Sequence, residues 1–355
     1  MIDQRNKLQW NQNLLKWYKK NHRILPWRER KDPYAIWISE IMLQQTRVET
    51  VISYFNRFMK AFPTIEELSN GNIDEVLKLW EGLGYYSRAK NIHKTAWIIT
   101  SEYGGRFPTN YKDVIALPGI GPYTAGAIMS IAYNERYPAV DGNVLRVISR
   151  VYCIEEDIGN QNTKKEIEEI VYSVIPKKEA RDFNQALMEL GATICTPTSP
   201  KCIDCPICKS CRALEEEKQD TLPVKAKKPK KKVEKRYVAI IKQDEAILMK
   251  KRPDKGLLAG LWEYPNVEGN NKEEFVSNCK KKYGILIKPL SFLGTEEHIF
   301  THIHWKMKVY ECSFENELQE SEKIGNTMEW ILEESRKNIT IPTAFKRVEK
   351  LYEKI

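Results

Sequence analysis

Five of the chain's eight cysteines lie within seventeen residues, and this crowding constrains the fold more than any other feature of the sequence. They are Cys195, Cys202, Cys205, Cys208 and Cys211. The spacing is C-x6-C-x2-C-x5-C if Cys208 is set aside, and C-x2-C-x2-C-x2-C if Cys195 is set aside. Structural zinc sites usually pair two C-x2–4-C knuckles across a longer gap, whereas closely spaced thiolates are typical of iron–sulfur clusters. We therefore expect an iron–sulfur centre, with a disulfide set or zinc as the alternatives.

The length and the N-terminal sequence limit the class of protein. A chain of 355 residues is long enough for two domains, each with its own core. The first ten residues, MIDQRNKLQW, lack the apolar segment of a signal peptide, and no run approaches the length of a membrane span. Because free thiols require a reducing compartment, we expect a cytoplasmic protein.

Positive charge is concentrated in one short segment. The net charge of the chain is +9, and residues 225–236 alone contain eight basic residues and one acid. The rest of the chain is therefore close to neutral. We interpret the segment as a solvated linker, whose lysines are also compatible with salt-dependent contacts to DNA phosphates.

The apolar pattern changes at this linker. Before it, apolar residues recur at helical spacing, as in the stripe from Phe183 to Ile194 that leads to Cys195. After it come short apolar runs at 237–241 and 246–249, an alternating run at 305–310 and a helical stretch at 273–283. The sequence predicts an all-α domain over residues 1–220, a linker over 221–236 and an α+β domain over 237–355.

A glycine-containing turn before a helix of small residues is a candidate phosphate-binding element. Residues 117–126 read LPGIGPYTAG, with Gly119 and Gly121 in the turn. Glycines let backbone N–H groups approach an anion, and the helix N-terminus adds a favourable dipole. An ordinary helix–helix turn is the alternative. The functional interpretation is a helix-hairpin-helix over about residues 113–132 that binds DNA phosphates without reading sequence.

Two carboxylates are candidate catalytic groups. Asp141, in VDGNV, begins a helical pattern, where an N-cap is the simplest interpretation. Glu40 lies four residues after Ile36 on a predicted helix, which places it on the apolar face. Burial there raises the pKa of a carboxyl group and makes it a candidate general acid. A structural ion pair with Arg28 or Arg47 is the alternative.

Five segments occur in the order found in one family. They are SEIMLQQT (39–46), GLGYYSRA (82–89), LPGIGPYTAGAI (117–128), VDGNV (140–144) and the cysteine motif. With these segments the chain resembles, essentially end to end, the adenine DNA glycosylases of the MutY type in the endonuclease III superfamily. The resemblance implies a base-excision-repair hydrolase that removes adenine mispaired with 8-oxoguanine or guanine. It also implies a multidomain fold: an all-α helix-hairpin-helix glycosylase domain with an iron–sulfur module, plus an α+β Nudix-like domain.

The resemblance assigns roles to four pocket residues. Glu40 matches the general acid that protonates the departing adenine. Asp141 matches the carboxylate that stabilises the oxocarbenium-like sugar, or links to it transiently, before water attacks. Tyr123 and Asn143 match residues lining the adenine and sugar pocket. Endonuclease III-like lyases have a lysine at the position of Tyr123 for Schiff-base chemistry, so the resemblance implies a monofunctional glycosylase.

The resemblance also implies DNA contacts and a cofactor. Gln45 and Tyr85 match the wedge that fills the space left when a base flips out of the stack. Gly119 and Gly121 belong to the hairpin that contacts backbone phosphates. Double-stranded DNA carrying the mispair is the expected partner, and the lysine-rich linker is a candidate site for repair-protein partners. The resemblance also leads us to expect a monomer in the cytoplasm of a bacterium, where it would be associated with the nucleoid. The expected ligands of a [4Fe–4S] cluster at residues 195–211 are Cys195, Cys202, Cys205 and Cys211, which leaves Cys208 as a spare.

Residues 237–355 resemble a Nudix domain without its metal site. Active Nudix hydrolases end their motif in R-E-U-x-E-E-x-G-U (U an aliphatic residue), and Lys281 and Lys282 occupy the positions of the last two glutamates. Lysine does not bind divalent cations, so we expect recognition and not nucleotide hydrolysis. In the family that the chain resembles, an F-S-H loop recognises 8-oxoguanine, and this chain has Phe300, Thr301 and His302.

Three other functions remain as alternatives. A related glycosylase for mispaired thymine or oxidised pyrimidines shares the hairpin, the aspartate and the cysteines but usually lacks the second domain. A non-catalytic iron–sulfur protein that binds DNA has no use for carboxylates facing phosphates. A Nudix hydrolase is disfavoured by the lysines at the metal positions.

Overall fold

The computed structural model describes residues 4–226, 229–315 and 328–353, with side chains from residue 10 onwards. The chain divides into two compact units. Unit 1 comprises Met1–Gly71 and Asn91–Lys227, and unit 2 comprises Asn72–Lys90 and Lys228–Ile355. No helix in these described ranges is both long and apolar enough to cross a membrane.

Helices dominate the chain up to the linker. In chain order the α-helices are α1 (Gln4–Asn21), α2 (Pro33–Leu43), α3 (Val48–Ala61), α4 (Ile65–Asn70), α5 (Ile73–Leu79), α6 (Ser87–Glu102), α7 (Tyr111–Ala116), α8 (Pro122–Ile131), α9 (Gly142–Tyr152), α10 (Gln161–Val174), α11 (Ala180–Thr193), α12 (Arg212–Glu215), α13 (Lys272–Tyr283) and α14 (Thr343–Tyr352). Short 3-10 helices span Cys202–Asp204, Cys208–Ser210 and Glu333–Asn338. The helical prediction for the N-terminal region is confirmed.

Local capping explains where the helices of the site begin. Asp32 accepts hydrogen bonds from the amides of Tyr34 and Ala35, and Pro33 occupies the first position of α2. Every residue of α2 from Tyr34 to Met42 is buried. This helix therefore lies inside unit 1, and any polar side chain on it must find a partner there.

A mixed sheet forms the centre of unit 2. Its strands are β1 (Lys232–Gln243), β2 (Ala246–Lys251), β3 (Trp262–Glu263), β4 (Asn266–Glu268), β5 (Ile287–Ile299), β6 (Ile303–Phe314) and β7 (Met328–Leu332). The order is β3-β2-β1-β6-β5, with β4 also paired to β1 and β7 to β2. Only β1 and β6 run parallel among the described pairs. The mixed α and β character predicted for this region is confirmed.

The two faces of the sheet bury separate cores. Phe275 and Cys279 of α13 pack on one face, and Phe345 of α14 packs on the other. The alternation predicted for 305–310 is present in β6, because Trp305, Met307 and Val309 belong to one core and Lys306 and Lys308 are exposed. Tyr310 is buried in the other core.

The N-terminal sequence contributes one segment to unit 2. Residues 72–90, which include α5, group with the sheet and not with the other helices. Glu81 accepts a hydrogen bond from the amide of Ile341 at 2.9 Å and pairs with Lys346 at 2.7 Å. The predicted domains, 1–220 and 237–355, place residues 72–90 with the N-terminal helices. The spacing of residues along the sequence does not indicate contacts between segments that are far apart in the chain.

The linker is shorter than predicted. Residues 221–236 were expected to be solvated, but β1 begins at Lys232. Glu234 accepts hydrogen bonds from Arg236 at 3.1 Å and from the indole of Trp305 at 3.0 Å, and all three are buried. The composition of this segment predicts a charged linker because it does not reveal that these charges neutralise one another inside the fold.

Candidate active site

A cavity of about 480 Å³ in unit 1 gathers residues from distant parts of the sequence. It is lined by α2, α8, α9, α11 and the residues that follow α2. Five of the residues singled out from the sequence lie in its wall: Glu40, Gln45, Tyr123, Asp141 and Asn143. A cavity of this volume is large enough for a small molecule or a single base.

Glu40 is a buried carboxyl group with a phenol as its partner. The side chain lies on the inward-facing helix α2 and is only 5 % exposed. The Tyr123 hydroxyl donates a hydrogen bond to Glu40 Oε2. Burial raises the pKa of Glu40 to about 7, although the hydrogen bond from Tyr123 opposes this shift. Glu40 therefore holds a proton for a large fraction of the time at neutral pH.

Glu40 does not form the structural ion pair that was the alternative to a general acid. Arg28, one of the two arginines considered as its partner, instead binds Glu189 Oε2 at 2.7 Å. No ion pair of Glu40 with Arg47 or Arg28 occurs in the described part of the chain. The positive charge of Arg28 acts on Glu40 only at longer range, where it lowers the pKa slightly against the effect of burial.

Asp141 caps α9 and faces the same cavity. Its Oδ1 accepts a hydrogen bond from the amide of Val144 at 2.8 Å, and its Oδ2 accepts one from Asn143 Nδ2 at 2.7 Å. Burial raises the pKa of Asp141, and these hydrogen bonds oppose the shift. The N-cap and the catalytic interpretation are compatible, because a helix terminus holds a carboxylate in one orientation.

Arg146 fixes the orientation of Asn143. Arg146 Nη2 donates to Asn143 Oδ1 at 2.9 Å and to the carbonyl of Gly191 at 2.8 Å, while Nε donates to the carbonyl of Cys195 at 2.8 Å. Because the amide oxygen of Asn143 is occupied, its NH2 group is directed to Asp141. Hydrogen bonds thus connect the start of the cysteine-rich loop to the carboxylate in the pocket.

A buried acidic residue with two arginines was missed by the sequence analysis. Glu189 on α11 has no exposed side-chain surface and pairs with Arg23 at 2.8 Å and Arg28 at 2.7 Å. Burial alone would raise the pKa of Glu189, but hydrogen bonds from both arginines lower it to about 2. All three residues line the cavity. The arginines lie more than 160 positions away, so no local pattern could have identified the cluster.

The hairpin glycines differ in what they require. Gly119 has φ of +78°, and a Cβ there would lie 2.7 Å from Asn91 Cβ, so both conformation and space demand glycine. Gly121 precedes α8 with φ of −98°, and a Cβ there would meet nothing within 4 Å. Nothing inside the protein explains Gly121, and the open space beside it suits close approach of a ligand backbone.

The five clustered cysteines surround one small cavity in unit 1. Cys195, Cys202, Cys205, Cys208 and Cys211 all line it, and all are free thiols. Burial raises the pKa of Cys205 to about 12 and that of Cys211 to about 11. The five residues are half-buried, and an all-sulfur donor set around one cavity fits a soft metal centre. The disulfide alternative is not present among these residues.

The two predicted wedge residues both have unusual backbone conformations. Gln45 in unit 1 has φ of +57° and Tyr85 in unit 2 has φ of +48°. Residues other than glycine and asparagine rarely adopt the left-handed region of backbone conformation. Those that do are found disproportionately at functional sites. Tyr85 is also 46 % exposed, which is unusual for a large aromatic residue.

The predicted recognition loop lies at the tip of the β5–β6 hairpin in unit 2. Phe300 packs edge-on against Trp305 with 4.8 Å between ring centroids, so it is partly buried against the core. Thr301 and His302 are exposed. The hydroxyl groups of Thr301 and Tyr85 lie 3.1 Å apart, within hydrogen-bond distance.

Comparisons with known proteins agree on one family. Residues 38–176 match the HhH-GPD superfamily of base excision DNA repair proteins, and residues 236–351 match the NUDIX domain. The adenine DNA glycosylase of Rattus norvegicus is 34 % identical over 96 % of this chain and 77 % of the relative. That of Buchnera aphidicola (strain APS) is 40 % identical over 83 % of this chain and 85 % of the relative.

Solved structures extend the comparison to unit 1. A thermostable thymine-DNA glycosylase is 30 % identical, with a TM-score of 0.54 over 60 % of this chain and 98 % of that one. Endonuclease III trapped on DNA is 23 % identical, with a TM-score of 0.53 over 61 % of this chain and 99 % of that one, and shares the fold.

Proposed function

Since the chain belongs to the adenine DNA glycosylase family of base-excision-repair enzymes, we propose that it hydrolyses the N-glycosidic bond of adenine mispaired with 8-oxoguanine or guanine in duplex DNA. The observation that carries this proposal is the pairing of Glu40, whose pKa is raised to about 7, with Asp141 in one cavity. Two carboxyl groups in different environments suit one proton donor and one anion.

The first step is extrusion of the adenine into the cavity. Flipping a base from the stack costs a few kcal/mol, and the vacated space must be filled. Gln45 lines the cavity and has an exposed side chain that suits this role, and the open space at Gly121 suits contact with a phosphate. Tyr85, which is exposed in unit 2, is the second proposed wedge residue. These contacts are independent of sequence and position the duplex.

The chemical step uses both carboxyl groups. As the bond between C1′ and the adenine nitrogen breaks, its electron pair leaves with the base, and protonated Glu40 transfers its proton to a ring nitrogen. Ionised Asp141 stabilises the positive charge on the sugar. Water then adds to C1′ and gives up a proton to the Glu40 carboxylate, which restores the enzyme. Because Tyr123 donates to Oε2 of Glu40, Oε1 is the oxygen that carries the transferable proton.

Tyr123 also supports a monofunctional reaction. A lyase requires an amine at this place to form a Schiff base with the sugar. The phenol of Tyr123 is hydrogen-bonded to Glu40, and burial raises its pKa well above the usual value, so it stays protonated and is not a nucleophile. Base release without strand cleavage is therefore part of the proposal.

Four thiols of the cysteine-rich loop would hold a [4Fe–4S] cluster. Cys195, Cys202, Cys205 and Cys211 are the proposed ligands, and the cluster would supply structural bracing. Arg150 Nη1 donates a hydrogen bond to Cys195 Sγ at 3.3 Å, which holds this sulfur in place beside the cavity. Exposed basic residues in and beside the loop, such as Lys201 and Lys209, suit contact with DNA.

The hairpin tip of unit 2 is the proposed reader of 8-oxoguanine. The hydroxyl of Thr301 and the ring of His302 offer exposed hydrogen-bonding groups. Thr301 lies within hydrogen-bond distance of Tyr85, so one of the two proposed wedge residues contacts the proposed reader within this unit. Thr301→Ala and Tyr85→Phe should both reduce the preference for adenine opposite 8-oxoguanine over adenine opposite guanine.

Single-turnover excision on duplexes with adenine opposite 8-oxoguanine, guanine or thymine tests the proposal. Excision opposite 8-oxoguanine and guanine, without strand cleavage, is expected. Glu40→Gln should nearly abolish it while duplex binding remains, and Glu49→Gln, which removes an exposed carboxyl group nearby, should leave it unchanged. Full activity of Glu40→Gln, or strand cleavage that keeps pace with base release in borohydride trapping, would refute the mechanism.

A further inference from the structure

A group of cations in unit 2 has no role in the proposed reaction. Lys250, near the end of β2, and Lys282, in the last turn of α13, both place their ammonium groups near the ring of Tyr283. Their Nζ atoms lie 4.5 Å and 4.8 Å from its centroid. Arg252, just beyond β2, lies close enough to act electrostatically on both lysines.

The carboxylates nearby are already taken. Glu263 is buried and forms a salt bridge with Arg252. Glu234 pairs with Arg236 at 3.1 Å. No carboxylate lies within 4 Å of Lys250 or Lys282 in the ranges 4–226, 229–315 and 328–353, and Lys282 donates only to a neutral group, the carbonyl of Asn266, at 3.1 Å.

The electrostatic environment of the two lysines is therefore unfavourable as it stands. Burial lowers the pKa of Lys250, and Arg252 lowers it further against the opposing effect of the Glu263 carboxylate. Burial lowers the pKa of Lys282 to about 8 together with Arg236, Lys250 and Arg252, again against the opposing effect of Glu263. An anion bound at these ammonium groups would offset the repulsion from the neighbouring cations, whereas a metal cation would increase it.

The position in the fold strengthens this argument. Lys281 and Lys282 stand where active Nudix hydrolases have glutamates that bind Mg²⁺, so this end of the helix carries the opposite charge. The Lys282 side chain keeps exposed surface although its ammonium group is partly desolvated, and Lys250 is half-buried, which leaves the site open to a ligand. Lysine binds phosphate as a compact charge with three donors.

We propose that Lys250 and Lys282, beside Tyr283, bind a phosphoryl oxyanion directly and without a divalent metal. The oxyanion comes either from a DNA phosphodiester or from a free phosphate compound, and both sources share the same chemistry. This site is separate from the hairpin tip at Phe300–His302 and does not depend on adenine excision.

Titration of the full chain with inorganic pyrophosphate, in the presence of a chelator, tests whether the site takes a free phosphate compound. Saturable binding is expected, and the double variant Lys250→Met/Lys282→Met should weaken it tenfold or more. Lys281→Met, one residue away on the exposed side of α13, is the matched control and should bind as the wild type does. Lys282→Arg retains the charge and should retain binding, which separates loss of the site from loss of the fold.

The salt dependence of binding to an undamaged duplex tests whether the site takes a DNA phosphodiester. Loss of phosphate contacts should reduce the slope of log K against log salt by about 1 for each contact. Either a lost pyrophosphate site or a reduced slope in the double variant supports the proposal and identifies the source. Wild-type behaviour of the folded double variant in both assays overturns it, whether or not adenine excision is observed.

Discussion

The hydroxyl of Tyr123 donates a hydrogen bond to Glu40 Oε2, and so joins two residues that lie 83 positions apart in the chain. The bond favours the ionised carboxylate, while burial favours the protonated form and has the larger effect. The balance places the pKa of Glu40 near the pH at which the enzyme must work. A general acid is most effective under that condition.

The rate of excision should therefore depend on pH through Glu40. We expect the single-turnover rate to fall as pH rises through about 7, because the proton of Glu40 is lost. Tyr123→Phe removes a hydrogen bond to the carboxylate, so the pKa should rise and the fall should occur at higher pH. Tyr172→Phe, at an exposed ring, serves as the control. An unshifted profile in Tyr123→Phe would contradict this account.

Glu40 should also destabilise the protein at alkaline pH. Its pKa is raised from 4.5 to about 7 by folding, so the contribution of its proton to stability is complete below pH 4.5 and is lost as pH rises through 7. Glu40→Gln removes the titration and should raise the free energy of unfolding at pH 8 by roughly 1–3 kcal/mol relative to wild type. At pH 4.5 the difference should be smaller. Chemical denaturation at the two pH values measures this, and equal effects would argue against a buried, neutral carboxyl.

Asp141 has a structural and a proposed chemical role that substitutions can separate. Asparagine also caps helices, so Asp141→Asn should keep the melting temperature while excision falls by about 10²–10⁴-fold. Asp141→Ala should lose the same activity and also about 1 kcal/mol of stability through the lost cap. Single-turnover rates and thermal melts of the two variants test this. If Asp141→Asn retains the rate, its role is that of a cap alone.

Gly191 should be required for the orientation of Asn143. A Cβ at this position would lie 2.6 Å from Asn143 Cβ, so Gly191→Ala must displace the side chain that directs its amide to Asp141. We expect a slower single-turnover rate with unchanged duplex affinity. Visible absorption of the purified variant should match the wild type, which would exclude damage to the cysteine-rich loop as the cause.

The choice of cluster ligands predicts unequal effects of neighbouring cysteines. Cys208→Ala should keep the visible absorption of the cluster, and Cys202→Ser should diminish it together with iron content. Both thiols line the same cavity, so their positions alone do not distinguish them. If Cys208 is essential and Cys195 is dispensable, the C-x2-C-x2-C-x2-C spacing is the correct one.

The sequence predicted those site residues that can be recognised from the few residues around them. Glu40 lies on an apolar helix face, Asp141 at a helix start and Gly119 in a turn, and each pattern spans only a few residues. Glu189 could not be predicted, because its partners Arg23 and Arg28 come from the other end of the domain. Tertiary pairing, and not propensity, decides such positions.

The start of β1 was missed for a related reason. Lysine and glutamate are typical of solvated segments, and their burial here depends on partners such as Trp305, about 70 residues further along the chain. Likewise, the grouping of residues 72–90 with the sheet depends on contacts of Glu81 with Ile341 and Lys346.

The point at which β1 begins determines how the recognition hairpin could be transplanted. The amide of Lys232 donates to the carbonyl of His302 at 3.1 Å, and Lys231 Nζ donates to the carbonyl of Phe300 at 2.8 Å. A domain excised at Tyr237 would lose both anchors and the buried pair of Glu234 and Arg236. The hairpin tip is therefore not a portable module by itself. Grafting it onto another glycosylase would require β1 together with the chain from at least Lys231. The transferred fragment would then include the residues that hold the loop in place.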